Sequence, residues 1–165
     1  NVASVNYFAN LGCKKIWLSP ELTFEQISDL ISKSPDLSFG IFIMGPQELM
    51  IMRHCVLMSE DECSRKCNVC DRRKKPHYLL DRKGYEFPVV TTKKGNCHIY
   101  NSVSLDLCHC IHELIDAGVD SFLIDTTLKD EDEAIQAVSR ASEAIEGSVE
   151  KSQNRTTGHL FRPVI

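Results

Sequence analysis

The sequence predicts an α/β fold with parallel strands and helices, interrupted by a cysteine-rich loop and a small antiparallel β meander. Three observations carry this: continuous apolar runs of strand length at residues 15–19 and 39–44, amphipathic helical patterns with capping signals between such runs, and four cysteines between residues 55 and 70. Continuous apolar strands suit a sheet covered on both faces, as parallel sheets are.

The first unit follows from the order of its signals. A helical segment opens the chain and ends near Cys13. After the strand at 15–19, Thr23 and Gln26 stand at capping-box spacing, and Phe24, Ile27, Leu30 and Ile31 share one helical face. Ser34-Pro35 ends that helix, and FGIFIM (39–44) supplies the next strand. Together they read as a βαβ unit.

The pattern returns downstream. Ser104 is placed to cap a helix carrying Leu107, Cys108, Ile111, Leu114 and Ile115, which Gly118 closes, and SFLID (Ser121 to Asp125) reads as a strand. Asp130 and Glu133 form a second capping-box pattern, opening a helix expected to bury Ala134, Val138, Ala141 and Ile145 and to stop near Gly147. Residues 148–165 form a C-terminal tail, polar to Thr157 and then apolar in GHLFRPVI, which is expected to dock on the core.

The middle of the chain breaks this rhythm. Tyr78 to Leu80, Tyr85 to Thr91 and Cys97 to Tyr100 are separated by the turn signals DRKG and KKGN, predicting a β meander insertion over 77–101. Pro88 calls for an edge or a bulge, because it cannot donate to a ladder.

At 165 residues, 42% hydrophobic and 25% charged, the chain is expected to form a single domain, residues 1–165, with a real core. The net charge of −4 gives no global attraction to nucleic acid or to an acidic membrane, so any such contact is local. No apolar run approaches the roughly 20 residues of a membrane span, and no signal-peptide pattern opens the chain, so a cytoplasmic location is expected. The start at Asn1 rather than Met, with a helix beginning at once, reads as a fragment of a larger protein.

The cysteine-rich loop, residues 55–76, holds the chemistry. Between 59 and 76 the buriable groups are Val69 and three cysteines, so apolar burial does not order this stretch. Cys55, Cys63, Cys67 and Cys70 are separated by seven, three and two residues, spacings that let thiolates converge on one ion or cluster. Arg65, Lys66 and the run Arg72 to Lys75 favour the thiolate form. A metal or iron–sulfur site is therefore expected at these four cysteines, with Cys108 as the rival fourth ligand and Cys97 a weaker one. Cys108 and His112 share a helical face but match no zinc-peptidase order. The basic run Arg72, Arg73, Lys74 and Lys75 is a candidate contact for RNA phosphates.

The chain resembles peptidase family U32, the collagenase-like peptidases. The likeness rests on WLSPEL (Trp17 to Leu22), ELMIMRHC (Glu48 to Cys55), YLLDRKGYEFPV (Tyr78 to Val89), YNSVSLDLC (Tyr100 to Cys108), AGVDSFLID (Ala117 to Asp125) and TTGHLFRPV (Thr156 to Val164). The resemblance implies the C-terminal portion of a (β/α) barrel, whose partner is the N-terminal half of its own parent protein. It also implies a [4Fe–4S] cluster of the kind found in relatives that hydroxylate RNA bases or quinone precursors without oxygen. On this basis Cys55 and Cys63 match the first two ligands, Cys67 or Cys70 the third, and Cys108 the fourth. The cysteine spacing departs from the usual motif, which leaves the fourth ligand open and keeps zinc as the alternative.

Glu21 and Glu48 follow predicted strands, where barrel active sites sit, and with His54 beside Cys55 they are the candidate catalytic groups. Peptidase activity has little support in the residues, since no nucleophile elbow and no HExxH is present. A structural zinc module without chemistry is a third reading. A partial barrel leaves a sheet edge, so a homodimer is expected.

Overall fold

A computed structural model describes residues 1–60, 63 and 65–162. In chain order its elements are α1 (Val2–Asn10), β1 (Lys15–Trp17), α2 (Phe24–Ser32), β2 (Ser38–Gly45), β3 (Glu48–Met52), β4 (His77–Leu80), β5 (Glu86–Thr91) and β6 (Cys97–Tyr100). Then follow β7 (Leu105–Asp106), α3 (Ile111–Asp116), β8 (Ser121–Ile124) and α4 (Glu131–Glu146). The chain divides into two compact units, Asn1–Gly45 with Ser104–Ile165, and Pro46–Val103.

The first unit is built around β2. Strand β1 runs parallel to it, pairing Ile16 with Phe39, and β8 runs parallel on it from Gly40 with Ser121 to Met44 with Ile124. The two-residue β7 crosses antiparallel at its end, where Met44 meets Asp106. Phe39, Ile41 and Ile43 of β2 are fully buried, and Ile27, Leu30, Ile111 and Leu114 close over them. Gly40 is required here, because a Cβ would stand 2.5 Å from the Trp17 ring. The unit is mixed α/β, and among the described residues there is no closed barrel. Three parallel strands form an open sheet, where a complete barrel needs eight.

The capping boxes stand as the sequence predicts. Thr23 Oγ1 accepts from the Gln26 amide and Gln26 Oε1 from the Thr23 amide, while Asp130 and Glu133 exchange the same pair of bonds. Gly118 closes α3 with φ of +98°. The tail docks as expected, with Leu160 buried and its carbonyl accepting from the Phe24 amide at 2.8 Å. Residues 163–165 of that motif lie outside the described residues.

Two predicted features differ. Ser104 caps no helix, since Leu105 and Asp106 are drawn into β7, a short 3-10 turn follows at Cys108–Cys110, and α3 begins at Ile111. Asp106 explains this. Its buried carboxylate accepts from the Cys108 amide, from Arg140 Nε and from Ser152 Oγ, which fixes the chain in an extended step before the helix. In α4 the buried face carries Ala137, Ala141 and Ala144, while Val138 and Ile145 are exposed. Alanines let the helix lie close to its neighbours, and that proximity outweighs the larger side chains' area.

The second unit is an antiparallel sheet of order β3-β6-β5-β4. The predicted three-stranded meander therefore gains β3 as a fourth strand, with Ile51 opposite His98 and Met52 opposite Cys97. Pro88 pairs with Tyr78 of β4, just beyond the stretch of β5 that pairs with β6, so its missing donor falls where β5 has one neighbour.

Candidate metal centre

Strand alternation sets the site. Successive side chains on β6 point to opposite faces, so Cys97 and Ile99 lie on one face and His98 and Tyr100 on the other. The first face, with Val89, forms a small core against which Met52, Cys55, Val56 and Phe87 pack. The cysteine-rich segment covers this face.

That segment runs as three short 3-10 helices, Val56–Glu60, Cys67–Val69 and Asp71–Lys74. Residues 61, 62 and 64 of the predicted loop lie outside the described residues. Val69 is 65% exposed, so apolar burial does not hold the loop in place. Two arginines do. Arg73 donates through Nε to the Thr91 carbonyl at 2.8 Å and through Nη1 to the Cys67 carbonyl at 2.7 Å, tying the loop to β5. Arg72 Nη1 reaches the Leu57 carbonyl at 2.9 Å, and His77 Nε2 lies 2.6 Å from the Arg72 carbonyl.

The four predicted cysteines face one cavity of about 300 Å³, which Lys66, Arg72, Arg73 and Thr91 also line. Cys55 leads into the first short helix, Cys67 opens the second and Cys70 follows it, while the Arg65 amide points at Cys63 Sγ at 3.4 Å. Gly95 closes the floor, because a Cβ there would stand 2.9 Å from Cys67 Sγ. The donor set and the cationic lining suit a metal ion or a small iron–sulfur cluster, which binds thiolates and gains from nearby positive charge. Among the described residues, no group of three or more His, Cys, Asp or Glu side chains stands close enough together to hold an ion as it is.

The structure adds a thiol that the sequence ranked low. Cys97 is fully buried, its Sγ lies 3.4 Å from the Val56 amide and 3.2 Å from Thr91 Oγ1, and it interacts with the Cys55 thiol. Burial, ahead of the neighbouring Cys97, pushes the Cys55 thiol up. The alternation of Cys97 with His98 in a strand whose Ile99 faces inward was the sequence signal for this placement.

Cys108 belongs to the core of the first unit. Burial first, and then the Asp106 carboxylate, push its thiol up to about 12, and burial lifts Cys110 to about 11. Cys13, beyond the end of α1, is exposed. His112 Nε2 contacts the Gly147 carbonyl at 2.6 Å and so serves the end of α4.

The candidate catalytic groups are dispersed. Glu21 is exposed in the turn after β1, in the first unit, and its amide donates to Ser19 Oγ. Glu48 opens β3 and pairs with His98 Nδ1, on the sheet face opposite the cysteine cavity. His54 is exposed beside Cys55. In the basic run, Arg72 and Arg73 are engaged with carbonyls, Lys74 pairs with Asp71, and Lys74 and Lys75 are exposed.

The sequence profile of Peptidase family U32 matches residues 1–162. The chain is similar to the tRNA hydroxylation protein P2 of Bacillus subtilis (strain 168), with 27% identity over 153 residues, which are 91% of this chain and 49% of that protein. It thus spans about half the length of the curated relative it matches. No solved structure matches it. No described helix is long and apolar enough to cross a membrane.

Proposed function

Because the chain belongs to peptidase family U32, we propose that it carries the thiolate site of an RNA-modifying protein that hydroxylates a tRNA base. The observation that carries this reading is the convergence of Cys55, Cys63, Cys67 and Cys70 on one cationic cavity. The similarity to a protein named for tRNA hydroxylation supplies the substrate class. A [4Fe–4S] cluster held by these thiols would supply one-electron chemistry at a potential tuned by the surrounding hydrogen bonds and exposure.

The protein's own part is to hold and shape that site. Arg73 fixes the distance between the Cys67 turn and β5, and Arg72 does the same for the Val56–Glu60 turn. Their charges, with Lys66, offset the negative charge that four thiolates bring into the cavity. Exposed Lys74 and Lys75 beside the loop suit the phosphates of an RNA strand. His54 is the candidate proton-transfer group next to Cys55 in sequence, while Glu48, paired with His98, serves the opposite face of the sheet.

The test is anaerobic purification of the chain with iron, sulfide and zinc determined per polypeptide. Iron and sulfide near four each, with broad visible absorbance lost on replacing Cys55 by serine, support the cluster. About one zinc and no colour supports a structural zinc module instead. Neither metal after anaerobic expression and reconstitution refutes a thiolate site.

A further inference from the structure

We infer that Cys97 is itself a ligand of this site, pairing with Cys55 as the strand-borne half of the ligand set, with two of the loop thiols Cys63, Cys67 and Cys70 completing it. The inference rests on the thiolate-site reading above and names a donor that the loop spacing does not contain.

Three features of its surroundings support this. First, the Cys97 sulfur meets the Val56 amide at 3.4 Å and the Thr91 hydroxyl at 3.2 Å. A neutral thiol is a weak acceptor, whereas a thiolate bound to metal takes up such donors, and N–H and O–H groups around ligating sulfurs are the usual outer shell of thiolate sites. Second, Cys55 packs directly against Cys97, and the amide that points at Cys97 belongs to Val56, the residue after Cys55. Two thiols are thereby gathered on the floor of the site by backbone rather than by loop conformation. Third, the turn that delivers Cys97 also touches the loop: Gly95 abuts Cys67 Sγ so closely that a Cβ would stand 2.9 Å away.

A strand residue is held more tightly than a loop residue, which is the property a first ligand needs if the remaining loop is to close on the ion. Cys97 sits in β6, paired to both β3 and β5. Cys63, Cys67 and Cys70 have no such anchorage, and their segment gains its order from Arg72 and Arg73.

The experiment uses the full chain, reduced and labelled with 13C at the cysteine β carbons, titrated anaerobically with zinc alone and followed by nuclear magnetic resonance. The Cys97 and Cys55 β-carbon signals are expected to move downfield together as zinc binds. Movement of Cys55 with Cys97 left at its thiol position overturns the inference while leaving the thiolate site intact. No movement of any cysteine signal overturns both.

In parallel, zinc affinity is measured by chelator competition for Cys97→Ser and, as a control, Cys13→Ser. Loss of a ligand is expected to weaken Cys97→Ser by more than about 100-fold, beyond the 10–100-fold that removing an outer-shell partner produces. Cys13→Ser is expected to match the parent. An affinity of Cys97→Ser within about 10-fold of the parent overturns the inference. If Cys97→Ser fails to fold by circular dichroism, the label experiment on the unaltered chain decides.

Discussion

Gly95 passes Cys67 so closely that a methyl group on its α carbon would stand 2.9 Å from Sγ, and its φ of +84° places it where side chains are strained. Gly84 has nearly the same φ, +83°, with nothing within 4 Å of its would-be Cβ. The two glycines therefore separate backbone strain from contact with the thiol. Gly84→Ala and Gly95→Ala are each expected to lose about 1–2 kcal/mol from left-handed strain in thermal unfolding. Only Gly95→Ala is expected also to weaken zinc binding, and equal zinc affinity in the two variants would show that Cys67 plays no part in the site.

Arg73 joins the Cys67 carbonyl to the Thr91 carbonyl through two donors of one planar group. Lysine offers one ammonium and does not reproduce that fork. Arg73→Lys and Arg73→Ala are both expected to lower stability, with about 1.5–3 kcal/mol per charge-assisted bond lost as the scale of the alanine effect. Hydrogen exchange at Cys67 to Cys70 is the more specific check: it should accelerate in both variants while amides of β8 keep their protection.

Asp106 is buried and takes bonds from Ser152, the Cys108 amide and Arg140. Burial alone would push its carboxyl up, yet these donors outweigh it and hold the carboxyl below the ordinary carboxylate range. The folded protein thus binds this proton less readily than the unfolded chain. The stabilisation is complete above the unfolded value of about 4 and is lost as pH falls through the lower folded value. Asp106→Ala, which leaves Arg140 partly buried without its partner, is expected to cost about 3–5 kcal/mol at neutral pH. Urea midpoints for parent and variant, measured from pH 7 downward, should converge in acid, and a constant gap would exclude the titration.

Thiol chemistry divides the eight cysteines by environment. Cys108, raised to about 12, and Cys110, raised to about 11, carry almost no thiolate at pH 8 in the native protein, while Cys13 is exposed. Brief iodoacetamide treatment at that pH, read by peptide mass spectrometry, is expected to label Cys13 well before Cys108 or Cys110. Comparable labelling of all three would mean that the core around Cys108 opens readily.

Much of this arrangement was legible in the residues. The two capping boxes at Thr23 and Asp130, the apolar β2 and the meander signals identify their elements because local bonds and strand-length patterns fix them. The misplaced helix start at Ser104 has a different origin: Asp106 is committed by Arg140 and Ser152, residues distant in sequence that no local pattern reveals. The rotated face of α4 also follows from tertiary packing, since Ala137, Ala141 and Ala144 offer weaker hydrophobic signals than Val138 and Ile145. At the candidate site, clustering along the chain pointed to Cys55, Cys63, Cys67 and Cys70. Cys97 is brought to Cys55 by pairing of β6 with β3, a contact between residues 42 positions apart (97 − 55) that spacing rules do not encode.

The neighbouring residues Cys97 and His98 share one strand but serve opposite sides of it, one among sulfurs and one beside the Glu48 carboxylate. Their identity is consequently a matter of reading frame. Deleting one residue between Gly95 and Cys97, with pairing otherwise kept, would turn every side chain of β6 over and deliver an imidazole to the thiols and a sulfur to the acid. A chain shortened in this way would keep its composition and lose both environments at once.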